Sequence, residues 1–124
     1  MADKKRILIV DDSAIMRLKL REIFENNGYE VVGEAENGNQ AISSFKELKP
    51  DLVTCDIVMP GGMDGIALLR ILMTMNKEAN VIMVSSVGTK DDVLQTLKLG
   101  AKNYITKPYD EQMILSVVKE ILKD

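Results

Sequence analysis

The chain has 124 residues, a net charge of −3, and ordinary hydrophobic (46%) and charged (28%) fractions, which together predict one globular domain spanning residues 1–124. The acidic balance argues against general binding to nucleic acid or to an anionic membrane. Histidine is absent and Cys55 is the only cysteine, so histidine-based catalysis, most zinc sites and an intrachain disulfide are excluded.

From its amino terminus onward the chain alternates short apolar runs with amphipathic segments. Residues 1–6 are polar, and the apolar run 7–10 is too short for a signal peptide or a membrane span, so we expect a cytoplasmic protein. That run is β-branched at three of its four positions, which predicts a strand buried on both faces. Further strands are predicted at 29–35, 52–55, 81–84 and 103–106, and helices at 13–27, 40–48, 66–75, 89–99 and from Asp110 onward.

The order of these elements predicts the architecture. Five repeats of a strand followed by a helix indicate parallel strands, because parallel neighbours need long crossover connections. Eight repeats would be needed for a closed barrel. The sequence therefore predicts an α/β fold with an open, doubly wound, five-stranded parallel sheet and helices on both faces.

Polar side chains follow four of the predicted strands at the points where those strands end. The set consists of Asp11 and Asp12, then Asp56, then Ser85 and Ser86, then Lys107 with Pro108. Each of these residues alone is typical of an ordinary surface loop. Because ligands of open α/β sheets bind at the carboxyl ends of the strands, we expect the set to converge on one site.

The chemistry of this set points to phosphoryl transfer. Three carboxylates in one pocket repel one another and need a cation, and hard oxygen ligands suit Mg²⁺. A carboxylate can attack phosphorus to give an acyl phosphate. A lysine can bind a phosphoryl oxygen as a point charge. The sequence therefore predicts a Mg²⁺-dependent site for phosphoryl transfer.

The same motifs resemble those of the response-regulator receiver domain family. The matching segments are residues 9–12 (IVDD), 56–60 (DIVMP) and 63–65 (MDG), together with Ser85 and Lys107-Pro108. They occur in the family's order and close to its spacing, and the resemblance covers essentially the whole chain. It implies a flavodoxin-like sheet with the strand order 2-1-3-4-5.

The resemblance also implies a role for each site residue. Asp56 would be the phosphoacceptor. Asp11, Asp12, Asp56 and the backbone carbonyl of Val58 would hold Mg²⁺, and Lys107 would meet the phosphoryl group. Ser85 and Tyr104 would be the switch residues, with Tyr104 turning inward from solvent on activation. Val58 and Val87 would flank the approach of the hydrolytic water.

One departure from the family pattern lies beside the predicted acceptor. The segment between Pro60 and the Asp64-Gly65 pair is one residue longer than usual and contains an additional glycine. We expect this insertion to alter the conformation of the loop without touching the key positions.

Two other classes of protein share parts of this pattern. A phosphatase with an aspartate nucleophile would need a second aspartate two residues after Asp56, where Val58 stands. A flavin-binding or nucleotide-binding module would need a glycine-rich or hydroxyl-rich loop after the first strand, where Asp11 and Asp12 stand. Both are weaker interpretations, and we expect the chain to catalyse only its own phosphotransfer and dephosphorylation.

The expected partners follow from the resemblance. A histidine kinase would be the phosphodonor, and a downstream protein would bind a monomer at the fourth helix, fifth strand and fifth helix. Chemotaxis, with the flagellar motor switch as target, is the preferred pathway. A phosphorelay intermediate and a receiver domain cut from a longer regulator remain the alternatives.

Overall fold

A computed structural model describes residues 3–123 of the chain. Five strands alternate with five helices among these residues. The strands are β1 (Arg6–Val10), β2 (Glu30–Ala35), β3 (Leu52–Cys55), β4 (Val81–Ser85) and β5 (Asn103–Thr106). The helices are α1 (Ala14–Glu25), α2 (Gly38–Leu48), α3 (Gly65–Met75), α4 (Lys90–Leu99) and α5 (Glu111–Leu122).

The strands form one parallel sheet in the order β2-β1-β3-β4-β5. This order confirms the predicted doubly wound, flavodoxin-like fold. The chain winds outward in two directions from β1, so β1 and β3 are neighbours at the centre of the sheet. Their carboxyl ends therefore lie side by side, and Asp11 and Asp56 follow directly from them.

Two hydrophobic cores cover the two faces of the sheet. Side chains alternate between the faces along each strand, so Leu8 and Val10 belong to one core and Ile7 and Ile9 to the other. Helices α2, α3 and α4 pack on the first core, and α1 and α5 pack on the second. All four of these β1 side chains are buried, which accounts for the unbroken apolar run in the sequence.

Side-chain caps define where the helices begin. Ser13, Asn37, Asp64, Thr89 and Asp110 each accept a hydrogen bond from the backbone N–H three residues later. The predicted first helix was too long, because Ser13 lies outside it as the cap and the helix ends at Glu25. None of the described helices is long and apolar enough to cross a membrane.

Candidate functional site

Asp11 is held at the end of β1 through both its backbone and its carboxylate. Its backbone N–H donates to the carbonyl of Ala35 on β2 at 3.0 Å. Its Oδ1 accepts from the backbone N–H of Ser13 at 2.9 Å, and the residue is almost fully buried. Asp12 is exposed, so the acidic pair presents one buried and one solvent-facing carboxylate.

Asp56 is held with similar strictness at the end of β3. Its backbone N–H donates to the carbonyl of Val10 at 3.0 Å, and its Oδ1 accepts from the N–H of Ile57 at 2.8 Å. Only 7% of the residue is exposed. Gly65 packs so closely on the Asp56 carbonyl that a Cβ there would collide with backbone, so the first residue of α3 must be glycine.

Lys107 brings a positive charge between the two buried carboxylates. Its Nζ lies 2.8 Å from Asp11 Oδ2 and 3.5 Å from Asp56 Oδ2. The lysine follows β5 directly and precedes a cis peptide bond to Pro108. The ammonium is thus closer to Asp11 than to Asp56, although the resemblance implies that it serves the phosphoryl group on Asp56.

The environment of Asp56 opposes its ionisation. Burial raises the pKa of this carboxyl most strongly, and the negative charge of Asp11 adds to the rise. Lys107 and hydrogen bonds from Ser85 and Ile57 lower the pKa but do not cancel the effect of burial. A bound cation would therefore stabilise the ionised form of Asp56, because this carboxylate is buried and lies beside the negative charge of Asp11.

The three carboxylates fit a divalent metal ion. Asp11, Asp12 and Asp56 each offer one oxygen, and these oxygens all lie within 4.8 Å of one another. An all-oxygen set on one side, with solvent on the other through Asp12, matches the preference of Mg²⁺ for few protein ligands and retained waters.

Ser85 and Tyr104 lie on the other side of Asp56. Ser85 is fully buried as the last residue of β4, one residue beyond the predicted strand end. Its Oγ accepts from the backbone N–H of Val87 at 3.2 Å. The Ser85 hydroxyl is also near enough to Asp56 to lower the pKa of that carboxyl, so a hydroxyl group lies beside the acidic residue as predicted.

Tyr104 does not start from the predicted position. Its ring packs against the core beneath α4, and its hydroxyl is buried without a hydrogen-bond partner in the described part of the chain. Burial raises the pKa of this hydroxyl, the nearby Ser85 hydroxyl lowers it, and Asp92 and Asp56 add to the rise. The expectation of a solvent-facing ring was wrong, because the ring packs against the first hydrophobic core and its hydroxyl is buried.

Comparison with known proteins shows which family the chain belongs to. Residues 7–119 match the family model of the response regulator receiver domain. The chain belongs to the response regulator receiver domain family. It is 43% identical to the chemotaxis protein CheY of Thermotoga maritima over 96% of this chain and 98% of that protein. It is 45% identical to CheY of Bacillus subtilis over 94% of this chain and 97% of that protein.

Solved structures agree with these relatives. A CheX–CheY–BeF3–Mg complex from Borrelia burgdorferi contains a chain that is 37% identical, with a TM-score of 0.93. That match covers 96% of this chain and 90% of the other. A CheY-like receiver domain from Methanospirillum hungatei is 30% identical with a TM-score of 0.91, over 98% of this chain and 95% of that one. These matches confirm the receiver fold.

The conformation of the lengthened loop in this receiver domain depends on its two glycines. Gly61 and Gly62 both adopt positive φ angles, +92° and +81°, which side chains other than glycine rarely tolerate. The two glycines turn the chain so that Met63 reaches across to Gly38 at the start of α2, where a Cβ would strike its sulfur. The loop therefore packs against the start of α2 through the side chain of Met63.

Two valines occupy the loops around Asp56. Val58 is 59% exposed in the loop after β3, and Val87 is half-buried in the loop after β4. Both lie at the carboxyl edge where the sequence places them. Their roles beside the hydrolytic water, and the Val58 carbonyl as a metal ligand, stay predictions.

One polar contact of the site was missed at the sequence level. Arg17, on the second turn of α1, donates from Nη1 to the backbone carbonyl of Asp11 at 2.6 Å. The signal in the sequence was weak, because a charged residue in an amphipathic helix is usually solvated. Only the packing of α1 against β1 and β2 brings this guanidinium to the site.

Proposed function

We propose that this chain is a phosphoacceptor response regulator of a two-component system, phosphorylated on Asp56 by a partner histidine kinase with Mg²⁺. The observation that carries the proposal is the trio of carboxylates with oxygens within 4.8 Å of one another, joined by the ammonium of Lys107. Isolated surface acids do not need such a partner, whereas a phosphoryl acceptor site requires both a cation and a point charge.

In the proposed reaction, a carboxylate oxygen of Asp56 attacks the phosphorus of a phosphohistidine on the kinase. The O–P bond forms as the P–N bond breaks, and the electron pair of that bond remains on the imidazole nitrogen. Lys107 binds a phosphoryl oxygen, for which its ammonium needs only a small movement from Asp11. The chain has no histidine, so it cannot itself carry a phosphohistidine. In the proposed reaction it receives the phosphoryl group at Asp56.

Asp11, Asp12 and Asp56, together with the backbone carbonyl of Val58, would hold the metal. When bound, Mg²⁺ would neutralise charge on the phosphoryl oxygens and on the carboxylates. The fixed hydrogen bonds to Asp11 and Asp56 hold their carboxylates in place before phosphate arrives, which reduces the reorganisation that transfer requires.

We propose a signalling role rather than an enzymatic one. A phosphatase that hydrolyses a foreign substrate through Asp56 would need an acid–base group near the acceptor, and position 58 supplies an exposed valine. The chain would then catalyse only reactions of its own phosphoryl group.

The output would be altered binding of another protein. Ser85 and Tyr104 lie between the acceptor and α4, whose surface exposes Leu94 and Leu97, and α5 exposes Met113. These apolar side chains suit a protein partner rather than solvent alone. The relatives named CheY support a chemotaxis pathway, in which we place the flagellar motor switch as target and the monomer as the acting species.

The acceptor assignment is tested with a small phosphodonor. Acetyl phosphate and Mg²⁺ should add one phosphoryl group to the wild-type chain, measured by intact mass. Asp56→Asn should show no addition, and Asp51→Asn, which changes a carboxylate at the opposite end of β3, should react normally. Undiminished single-site labelling of Asp56→Asn would refute the assignment.

A further inference from the structure

The contacts of Arg17 extend from the metal site to the edge strand of the sheet. Its Nη1 donates to the Asp11 carbonyl at 2.6 Å, and its Nε donates to Glu34 Oε1 on β2 at 3.0 Å. Only 15% of the arginine side chain is exposed. A planar guanidinium held by two acceptors in fixed directions has little freedom to move.

The carbonyl that Arg17 holds belongs to the peptide that joins Asp11 to Asp12. The atoms of this peptide lie in one plane, so fixing its oxygen also fixes the Cα of Asp12. The Asp12 carboxylate has no other support, because none of the residues described by the structure pairs with it. Asp11, in contrast, is held through Ser13 and Lys107.

We infer that Arg17 is a positioning residue for the metal site, which acts through the Asp11 carbonyl to orient Asp12. This inference rests on the proposed Mg²⁺-dependent function. Groups that orient a ligand typically contribute about ten-fold to a hundred-fold in metal affinity. Loss of Arg17 should therefore weaken Mg²⁺ binding, although Arg17 would not touch the ion.

Charge alone predicts the opposite result, which makes the inference testable. Removing a positive charge near a cation site should strengthen cation binding. Arg21 provides the matched control because it also bonds Glu34, at 2.7 Å, but its other partner is Glu25 rather than Asp11. The two arginines thus share charge, helix and partner, and differ in the contact with the metal site.

The experiment is a calorimetric titration with MgCl₂ of the full chain and two variants, Arg17→Gln and Arg21→Gln. We expect a dissociation constant about ten-fold higher for Arg17→Gln and one equal to or slightly lower than wild type for Arg21→Gln. If Arg17→Gln binds Mg²⁺ as tightly as Arg21→Gln, the inference is wrong. Absence of Mg²⁺ binding by the wild-type chain would overturn both this inference and the proposed function.

Unfolding in chelator shows whether each variant is folded before titration. If Arg17→Gln fails to fold, the titration is repeated with Arg17→Lys and Arg21→Lys. Both lysine variants keep the positive charge and lose the guanidinium fork. Weaker Mg²⁺ binding by Arg17→Lys alone supports the positioning role. Equal binding by the two lysine variants overturns it.

Discussion

The charged groups that α1 brings to the acceptor site (the paired side) have partners, whereas the buried hydroxyl of Tyr104 on the α4–β5 side (the unpaired side) has none among the described residues. On the α1 side, Arg17 and Arg21 share Glu34, and Arg17 also holds the Asp11 backbone. On the α4–β5 side, the buried hydroxyl of Tyr104 has no partner among the described residues. Displacing a paired charged group breaks its hydrogen bonds, whereas a buried hydroxyl without a partner loses no hydrogen bond when it moves.

This difference indicates where the receiver domain can change shape. A metal site needs ligands that do not move, and the backbone that carries Asp11 and Asp12 is held on the paired side. A switch needs two arrangements of similar free energy, and we propose that Ser85 and Tyr104 on the unpaired side supply them. Phosphorylation would then select between arrangements on one side only, limited by its differential affinity for them.

The largest expected effect breaks the metal site on the paired side. Asp12→Asn should lose most of the stabilisation by Mg²⁺, which is about 2.7 kcal/mol for the wild type at 100 times its dissociation constant. In chelator the variant should be at least as stable as wild type, since it removes repulsion within the carboxylate trio. Urea unfolding with and without Mg²⁺ measures both effects.

Asp3→Asn is the control for that prediction. Asp3 is exposed and precedes β1, so it lies at the opposite edge of the sheet and should leave the Mg²⁺ effect intact. An Asp12→Asn protein much less stable than wild type in chelator would contradict the account.

The next largest effect concerns the lifetime of the phosphoryl group. Val58 can exclude water from the line of attack but cannot orient it, so Val58→Asn and Val58→Glu should speed dephosphorylation by tens-fold or more. Mg²⁺ binding should change little, because the expected metal contact there is the backbone carbonyl. The loss of phosphoryl group is followed by intact mass after the phosphodonor is removed.

Val58→Ile keeps the apolar character and should leave the rate near that of wild type. The prediction fails if both polar variants dephosphorylate no faster than wild type while their Mg²⁺ affinity is retained. The loop glycines, rather than the valine, would then set water access.

A smaller effect sharpens the comparison on the unpaired side. Tyr104→Phe removes a buried hydroxyl without a partner and should raise the free energy of unfolding by about 1 kcal/mol. Tyr109→Phe removes another buried hydroxyl that is unpaired in the described chain, on the α1–α5 core, and should raise the free energy of unfolding by a similar amount. A loss of stability in Tyr104→Phe, measured by urea unfolding, would mean that its hydroxyl is paired in solution.

The smallest effect is the pH dependence of the paired side. Burial raises the pKa of Glu34, but the hydrogen bonds and positive charges of Arg21 and Arg17 lower it by more. The pKa of Glu34 therefore lies below its ordinary value of 4.5. Because the folded pKa is the lower one, Glu34 contributes stability above the unfolded pKa and loses it as pH falls through the folded pKa.

Glu34→Gln should therefore cost about 1 kcal/mol or less near neutral pH, and nothing in strong acid. Glu30→Gln, which changes an exposed glutamate on the same strand, should show no such difference. Urea unfolding across this pH range measures the contribution. A cost for Glu34→Gln that persists unchanged in acid would show that the ion pairs do not produce it.

Most of the fold and the central site were predictable from the sequence, for physical reasons. The run of residues 7–10 marks a strand buried on both faces, and the acidic, hydroxyl and lysine residues directly follow strand ends. Parallel topology then brings them to one edge. The positions of Asp11, Asp12, Asp56, Ser85 and Lys107 were found in this way.

The parts that were missed depend on packing between distant elements. The ring of Tyr104 was expected in solvent because the sequence does not show that it packs against the first hydrophobic core. The role of Arg17 depends on the approach of α1 to β1 and β2, which leaves no periodic signal. The loop insertion was visible as an additional glycine, but the contact of Met63 with Gly38 was not.

We expect phosphorylation at Asp56 to change the α4–β5 side of the domain and to leave the α1 side in place. Side-chain and amide NMR spectra with and without beryllofluoride, in the presence of Mg²⁺, test it most directly, with Asp56→Asn as the control that should not respond. We predict changes at Ser85, Tyr104 and along α4, with the guanidinium signals of Arg17 and Arg21 nearly unchanged. If the signals of Ser85 and Tyr104 do not move, or if the signals of the two arginines change as much as those of Ser85 and Tyr104, this expectation is wrong.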